Sequence, residues 1–391
     1  MTYANRTNHL KVEGAYAVLA KAQALEADGR DILHFEIGQP DFDTFPNIGM
    51  AGMRAIANGK TNYTPPAGTP TFRRAIAMDA SARRGVDIAP EQVVVSPGGK
   101  PNIFFPTMAL VNPCDEVIYP NPGFPTYEAM IGVAGGVAVP VPLVEENDFS
   151  FDLDVFDELI NKKTKMIIIN SPNNPTGGII PKADLEHIAS AAKKYNAWVL
   201  SDEIYARIVY DGMDDAPSIY ALPDMAERTI IMDGFSKTYA MTGWRLGYGI
   251  MPKELARRVG LLLTHSLGST AEFTQYAGIE ALTGDQDQVD AVVAEYEKRR
   301  NVIVDGLNSL PGVSCQKPQG AFYVFPNITG LGKSSNEVAN WILEEAGVAL
   351  LPGTAFGAHG EGYLRLSYAN SVENIEIAIE RIRSILDVVE H

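Results

Sequence analysis

Four stretches place reactive side chains directly after apolar runs: "SPNNPTGG" (171–178), "LSDEIY" (200–205), "GFSKTYAMTGWRLG" (234–247) and "YLRLSYA" (363–369). Lys237 is a lone amine among small and hydroxylated residues, and an amine can form a Schiff base with an aldehyde. Asp202 ends an apolar run, where a carboxylate can hold a pyridine nitrogen protonated so that the ring withdraws electrons. Each stretch also has an ordinary use. Asn-Pro and Thr-Gly make turns, Asp202 suits a helix cap, Lys237 and Arg245 suit a solvated surface, and Arg365 suits a structural salt bridge. Arg365 resists that reading, because Tyr363, Leu364, Leu366 and Tyr368 leave its strand apolar on both faces. A guanidinium there needs an anion, and its planar fork matches a carboxylate of the protein or of a substrate.

The rest of the chain narrows the chemistry. Its 391 residues exceed what one compact core covers, so two domains, or a large one with a smaller companion, are expected. With 46% hydrophobic and 20% charged residues it reads as ordered and globular. A formal net charge of −16 argues against nucleic acid and anionic membranes as partners, since both would be repelled. Cys114 and Cys315 lack metal-ligand spacing and read as two buried thiols in a reducing cytosol. His9, His34, His187, His265, His359 and His391 show no metal spacing either, so no metal is expected. "GLGKSS" (330–335) invites a phosphate-loop reading, but the position that must be glycine is Asn327, so a solvated turn is expected. No dinucleotide fingerprint follows a predicted strand, and there is no G-x-S-x-G. The polar N-terminus lacks a signal-peptide core, and no apolar run approaches the roughly 20 residues that cross a bilayer. A soluble, cytoplasmic protein is expected.

The elements that must position these residues follow from hydrophobic periodicity. "EGAYAVLAKAQALEADG" has the spacing of an amphipathic helix stopped at Gly29, and "DILHFEIG" reads as a strand. Short runs then recur: "QVVVS", "DEVIYP", "VAVPVPLV", "TKMIIIN", "AWVLSDE", "TIIMDGF" and "RLGYGIM". Segments of helical period separate most of them, including "KPNIFFPTMALV" and "PKADLEHIASAAKKY". Runs apolar on both faces, alternating with helices, predict an α/β domain over 47–284 with a mainly parallel sheet covered on both sides. Beyond it, "DQVDAVVAEYEKRRNVIVDGL" and "SVENIEIAIERIRSILDVVE" flank "GAFYVFPN", "VALLPG" and "YLRLSYA". That pattern predicts a smaller α+β domain over 285–391, with residues 1–46 packing against it. Ligands of such sheets collect at the carboxyl ends of the strands, where the four stretches lie.

A Schiff-base lysine with an aspartate for a pyridine nitrogen is the pair that pyridoxal 5′-phosphate (PLP) requires. At this point the chain resembles the class I/II aminotransferase family of fold-type I PLP enzymes. The likeness runs in order through "FEIGQPDFDTF", "YTPPAG", "NNPTG", "SDEIY", "SKTYAMTGWRLGY" and "RLSYA". It implies that Lys237 carries the cofactor, that Asp202 partners the pyridine nitrogen, and that Asn174 and Tyr205 hydrogen-bond the ring oxygen. It implies that Arg245, the turn Gly98, Gly99 and Lys100, and Ser236 serve the phosphate, the turn doing so through N–H groups at a helix start. Phe124 would stack on the pyridine, Gly38 and Arg365 would hold the substrate's α-carboxylate, and Tyr63 would reach the phosphate of a neighbouring subunit, which makes the active unit a homodimer.

The resemblance implies an amino acid aminotransferase working by a ping-pong cycle between an α-amino acid and a 2-oxoacid. Two departures bear on this. Gly234 stands where the family commonly has serine, and "PNIFFPTMALV" lacks the basic residue that the bacterial aspartate-type subgroup often carries there. No arginine occurs between Arg258 and Arg299 to clamp a dicarboxylate side chain. The reading is therefore aspartate-type or broad aromatic and neutral specificity. A carbon–sulfur β-lyase on the same scaffold is the alternative. A PLP-fold regulator is more remote, since the chain has no room for a DNA-binding segment.

Overall fold

The computed structural model describes residues 2–7, 10 and 12–387. His9, His391 and the last three residues of the predicted C-terminal helix lie outside the described residues. The seven apolar runs between 93 and 250 all become strands; all but Val137–Val144 are buried on both faces, which only a sheet covered on both sides accommodates. The alternation is visible within them. Ile167, Ile169 and Val199 pack with Leu185 and Ile188 of the helix Lys182–Tyr195. Met166, Ile168, Leu200 and Met232 face the other way, toward Ile103 and Tyr127.

The sheet has eight strands in the order 93–96, 247–250, 229–234, 198–202, 164–170, 116–121, 137–144 and 150–151. Neighbours from 229–234 through 137–144 run parallel, whereas 247–250 is antiparallel to both its neighbours and 150–151 to its one. The register pairs Asn170 with Asp202, Asp202 with Met232, and Gly234 and Ser96 with Gly247. One edge of the sheet therefore presents the carboxyl ends of the strands that precede Gly98, Asn174, Tyr205 and Lys237.

Beyond the large sheet, Leu364–Ser367 lies between Tyr323–Val324 and Leu351–Pro352, antiparallel to both. Helices Asp287–Asn308 and Val372–Asp387 cover it, burying Ile303, Leu307, Ile375, Ile379 and Ile382 with Val324 and Leu366. "DILHFEIG" is less regular than expected. Only Leu33–His34 is strand, parallel to Val348–Ala349, because Phe35 leaves that partner and bridges to the next sheet: its N–H donates to Ala349 and its carbonyl accepts from Ser367. "VALLPG" likewise divides at Leu350 between two partners.

The first long helix, Gly14–Ala27, ends before Gly29 at φ 86°, but it is not the strongly one-sided helix expected. Only Ala22 is buried in it, and Val18 and Leu25 pack partly on Ile32, Leu343 and Ala349. "GLGKSS" forms a capped turn: the Ser334 hydroxyl accepts from the Glu337 N–H and the Glu337 carboxylate accepts from the Ser334 N–H. Both cysteines are free. Cys315 is buried as expected, whereas Cys114 is exposed in a left-handed turn before the strand Glu116–Asn121. No described helix is long and apolar enough to cross a membrane.

Candidate active site

Asp202 is the last residue of its strand, so its side chain emerges at the carboxyl edge while its backbone stays fixed by both neighbours. The carboxylate is buried. Burial pushes its pKa up to about 7, against the pull of Tyr127, whose hydroxyl donates to it at 2.6 Å, and of the Ile204 N–H at 3.2 Å. No cation pairs with Asp202 among the described residues. Next to it, Asn170 donates to the carbonyls of Asp202 and Pro172 at 3.1 Å each and accepts from the Asn174 N–H at 2.9 Å. This fixes the loop that carries Asn174, whose side-chain oxygen is buried without a partner. An orphaned polar atom costs about 1–3 kcal/mol, which a ligand's hydrogen bond can offset.

Lys237 follows the end of Thr229–Gly234 and is half-buried, its ammonium donating to the carbonyl of Gly38. Its Nζ lies 5.9 Å from the centre of the Tyr205 ring and 5.6 Å from that of Phe322. Desolvation lowers its pKa to about 8, with Arg365 and Arg245 adding to the effect and Asp202 opposing it. A neutral, nucleophilic amine is thus within reach at mild pH. Three residues earlier, a Cβ at Gly234 would stand 3.1–3.3 Å from the Gly247 Cα, the Leu246 carbonyl oxygen and Ile204 Cδ1. A side chain there would need these neighbours to give by a few tenths of an ångström.

The glycine turn meets Arg245. Gly98 has φ 86°, and a side chain on it would run into the Arg245 guanidinium; one on Gly99 would approach Met232 Sδ at 2.8 Å. Ser96 donates to the Gly98 carbonyl and accepts from Asn102, both at 2.6 Å, which pins the turn to the start of the helix Pro101–Leu110. Arg245 itself has φ 52° and donates to the Thr242 carbonyl at 2.9 Å, with no carboxylate partner among the described residues. A free guanidinium over a bare turn at a helix start fits a phosphate. The Lys100 ammonium pairs with Glu13 and lies 5.2 Å from the Phe124 ring centre. Its backbone belongs to the turn, but its charge is engaged elsewhere. Phe124 is half-buried, edge-on to Tyr127 at 5.7 Å, and so adjoins the group that holds Asp202.

Arg365, in the middle strand of the small sheet, is buried and forms no ion pair among the described residues. One arm donates to the backbone carbonyl of Glu36, its Nε has no partner, and its guanidinium lies over the rings of Tyr323 (4.7 Å) and Phe356 (5.3 Å). Burial lowers its pKa. The anion expected beside it is therefore not supplied as a protein ion pair. Gly38 is half-buried, Ser236 is half-buried beside Lys237 in the chain, and Tyr63 stands apart at 99% exposure.

The structure also adds residues that the sequence did not single out: Tyr127 on Asp202, Tyr323 on Tyr205, and Glu13 on Lys100. Tyr127 lies three residues beyond Phe124, but nothing in the sequence sets it apart from a core tyrosine.

Residues 30–382 match the family model for aminotransferase class I and II. The chain is 42% identical to an aspartate aminotransferase of Pyrococcus horikoshii over 91% of each chain. It is 39% identical to aromatic-amino-acid aminotransferase 2 of Thermococcus litoralis over 93% of each. Its fold overlays that of the Thermus thermophilus aspartate aminotransferase solved with maleate at a TM-score of 0.94, with 37% identity over 99% of this chain and 100% of that one. An amine of lowered proton affinity, a buried carboxylate without a cation and a bare phosphate turn now have one common explanation: this chain belongs to the class I and II aminotransferases, the PLP-dependent transaminases.

Proposed function

We propose that the cofactor and substrate are held as follows, and that the substrates carry acidic and aromatic side chains. PLP supplies an aldehyde that captures an amine and a ring that takes up electrons from the substrate's α-carbon. Arg245 and the N–H groups of the Gly98–Gly99 turn bind its phosphate. Asp202 keeps the proton on the pyridine nitrogen by charge pairing. Asn174 and Tyr205 address the ring oxygen and Phe124 covers one ring face. Arg365 takes the α-carboxylate beside Gly38, which orients the α-carbon toward Lys237. Lys237 Nζ then removes the α-proton and returns it on the cofactor side; its lowered pKa lets one amine take and give that proton near neutral pH.

The observation that carries this reading is a pair of unmet demands: Asp202 has no cation partner and Arg365 no anion partner among the described residues. The acidic and aromatic range rests on the relatives, which are named for aspartate and for aromatic amino acids. A homodimer is supported by exposed apolar side chains, among them Met50, Met53, Ile56 and Leu261, together with Tyr63, which has nothing to do in a single copy. We place the enzyme in the cytoplasm.

Borohydride reduction of the yellow holoprotein followed by peptide mapping tests the site, with the adduct expected on Lys237; an adduct on another lysine overturns it. A panel of amino acids against 2-oxoacids tests the range. Pyruvate released from cystathionine without an added oxoacid would instead indicate β-elimination.

A further inference from the structure

The phenol of Tyr323 has no part in the roles above, yet it sits where several of them meet. It is buried, its hydroxyl lies 2.7 Å from that of Tyr205, and its ring supports the Arg365 guanidinium at 4.7 Å. The same hydroxyl fills the space that a side chain at Gly38 would need, and the Gly38 carbonyl is the one that receives Lys237. The two phenols belong to different sheets. Tyr323 is in the strand that pairs with Leu364–Ser367 and so moves with Arg365, whereas Tyr205 is carried by the turn after Trp198–Asp202. Their rings meet edge to face at 5.6 Å, and Phe322 closes the cluster.

A hydroxyl has one proton and two acceptor positions. The bond between two phenols uses one proton, so one of them keeps its own for a third group. If Tyr205 gives its proton to the ring oxygen of the cofactor, Tyr323 must be the donor in the shared bond. The guanidinium over the Tyr323 ring favours that direction, since a nearby cation makes a phenol a better donor.

We propose that Tyr323 is a positioning residue that donates its phenolic proton to Tyr205, leaving the Tyr205 proton free for the cofactor's ring oxygen. This rests on the role given to Tyr205 above. Its consequence is spectroscopic. A ring oxygen that receives a stronger hydrogen bond holds its negative charge more easily, and the neighbouring nitrogen gives up its proton at lower pH.

The test is an absorbance titration of the yellow holoprotein for wild type, Tyr323→Phe, Tyr205→Phe and the double variant, with apoprotein melting temperatures alongside. Tyr323→Phe should raise the chromophore's pKa by about half to one unit, the size expected for one neutral hydrogen bond. Tyr205→Phe should raise it more, and the double variant should match Tyr205→Phe alone, because Tyr323 acts only through Tyr205. An unshifted chromophore in Tyr323→Phe overturns the proposal, including when the melting temperature falls, since that would mark a purely structural residue. Two shifts that add in the double variant overturn it as well. An unshifted Tyr205→Phe overturns the assignment of Tyr205 itself, and the inference with it.

Discussion

Asp202→Asn should stabilise the ligand-free protein while it cripples the enzyme. In the absence of PLP the carboxyl keeps its proton up to about pH 7 rather than 3.8, because ionising it in a dry site costs more than the Tyr127 and Ile204 hydrogen bonds return. The folded-state pKa is raised, so the folded protein binds the proton more tightly than the unfolded chain. Stability is then lost as pH rises from about 4 to about 7 and stays lost above. At about 1.4 kcal/mol for each tenfold change, the penalty at pH 8 comes to ~4 kcal/mol. Asparagine has the same shape and no charge to desolvate; its one oxygen accepts from Tyr127, and losing the Ile204 N–H bond returns only about 1 kcal/mol of the gain. The apo variant should therefore melt several degrees above apo wild type at about pH 8 and close to it at about pH 4. With PLP the order reverses, because only the carboxylate pairs with the pyridinium: the variant should gain less stability from the cofactor and lose most of its kcat. Scanning calorimetry of apo and loaded forms at both pH values decides the matter. An apo variant no more stable than wild type at pH 8, or ahead by the same margin at both pH values, would refute the argument.

Three further outcomes follow from the site. Arg365→Lys keeps the charge but loses the fork, so kcat/KM should fall about thirtyfold, or ~2 kcal/mol, for acidic, aromatic and aliphatic amino acids alike; a loss confined to acidic substrates would make Arg365 a reader of side chains. Gly98→Ala forces a side chain onto a left-handed residue and displaces the Arg245 guanidinium from the turn, so PLP should bind about tenfold more weakly by spectral titration while the fold survives. Loading of apoprotein with PLP needs a neutral Lys237, so the rate at which colour appears should rise with pH to a midpoint of about 8; a midpoint near 10.5 would mean that the amine is not perturbed.

The large sheet could be read from the sequence because its strands announce themselves one at a time: a run buried on both faces, such as "KMIIIN", has no other stable placement in an α/β fold. Their spatial order could not be read, nor could the antiparallel direction of Gly247–Ile250, since both depend on pairings between distant segments. The irregular path of "DILHFEIG" escaped for the same reason, because Phe35 changes partners between two sheets.

The site divides along the same line. Lys237, Asp202 and Arg365 were visible because a charge at the end of or within an apolar strand conflicts locally with its surroundings. Tyr127 and Tyr323 were not, because a tyrosine in "FPTYEAM" or "GAFYVF" is in harmony with a core, and its use appears only when Asp202 arrives from 75 positions away or Tyr205 from 118. The Lys100 ammonium escaped likewise: its backbone obeys the local turn, but its charge answers to Glu13, 87 positions earlier.

What the ligand-free fold leaves unresolved is itself informative. A carboxyl kept protonated to about pH 7, a buried guanidinium with an unmatched Nε and an amide oxygen with no donor are each unfavourable on their own. A core selected for stability alone would have replaced them with apolar groups. A pyridinium and a carboxylate would satisfy the first two together, and those belong to one cofactor joined to one amino acid. The two groups should therefore respond to ligands in steps. PLP alone should relieve Asp202, and only a substrate carboxylate, or a simple dicarboxylate such as maleate, should add the stability held back at Arg365. Melting temperatures of wild type and Arg365→Lys with PLP, and with PLP plus maleate, would show it: the second increment should shrink in the variant while the first stays whole, and equal losses in both would mean that Arg365 serves the cofactor instead.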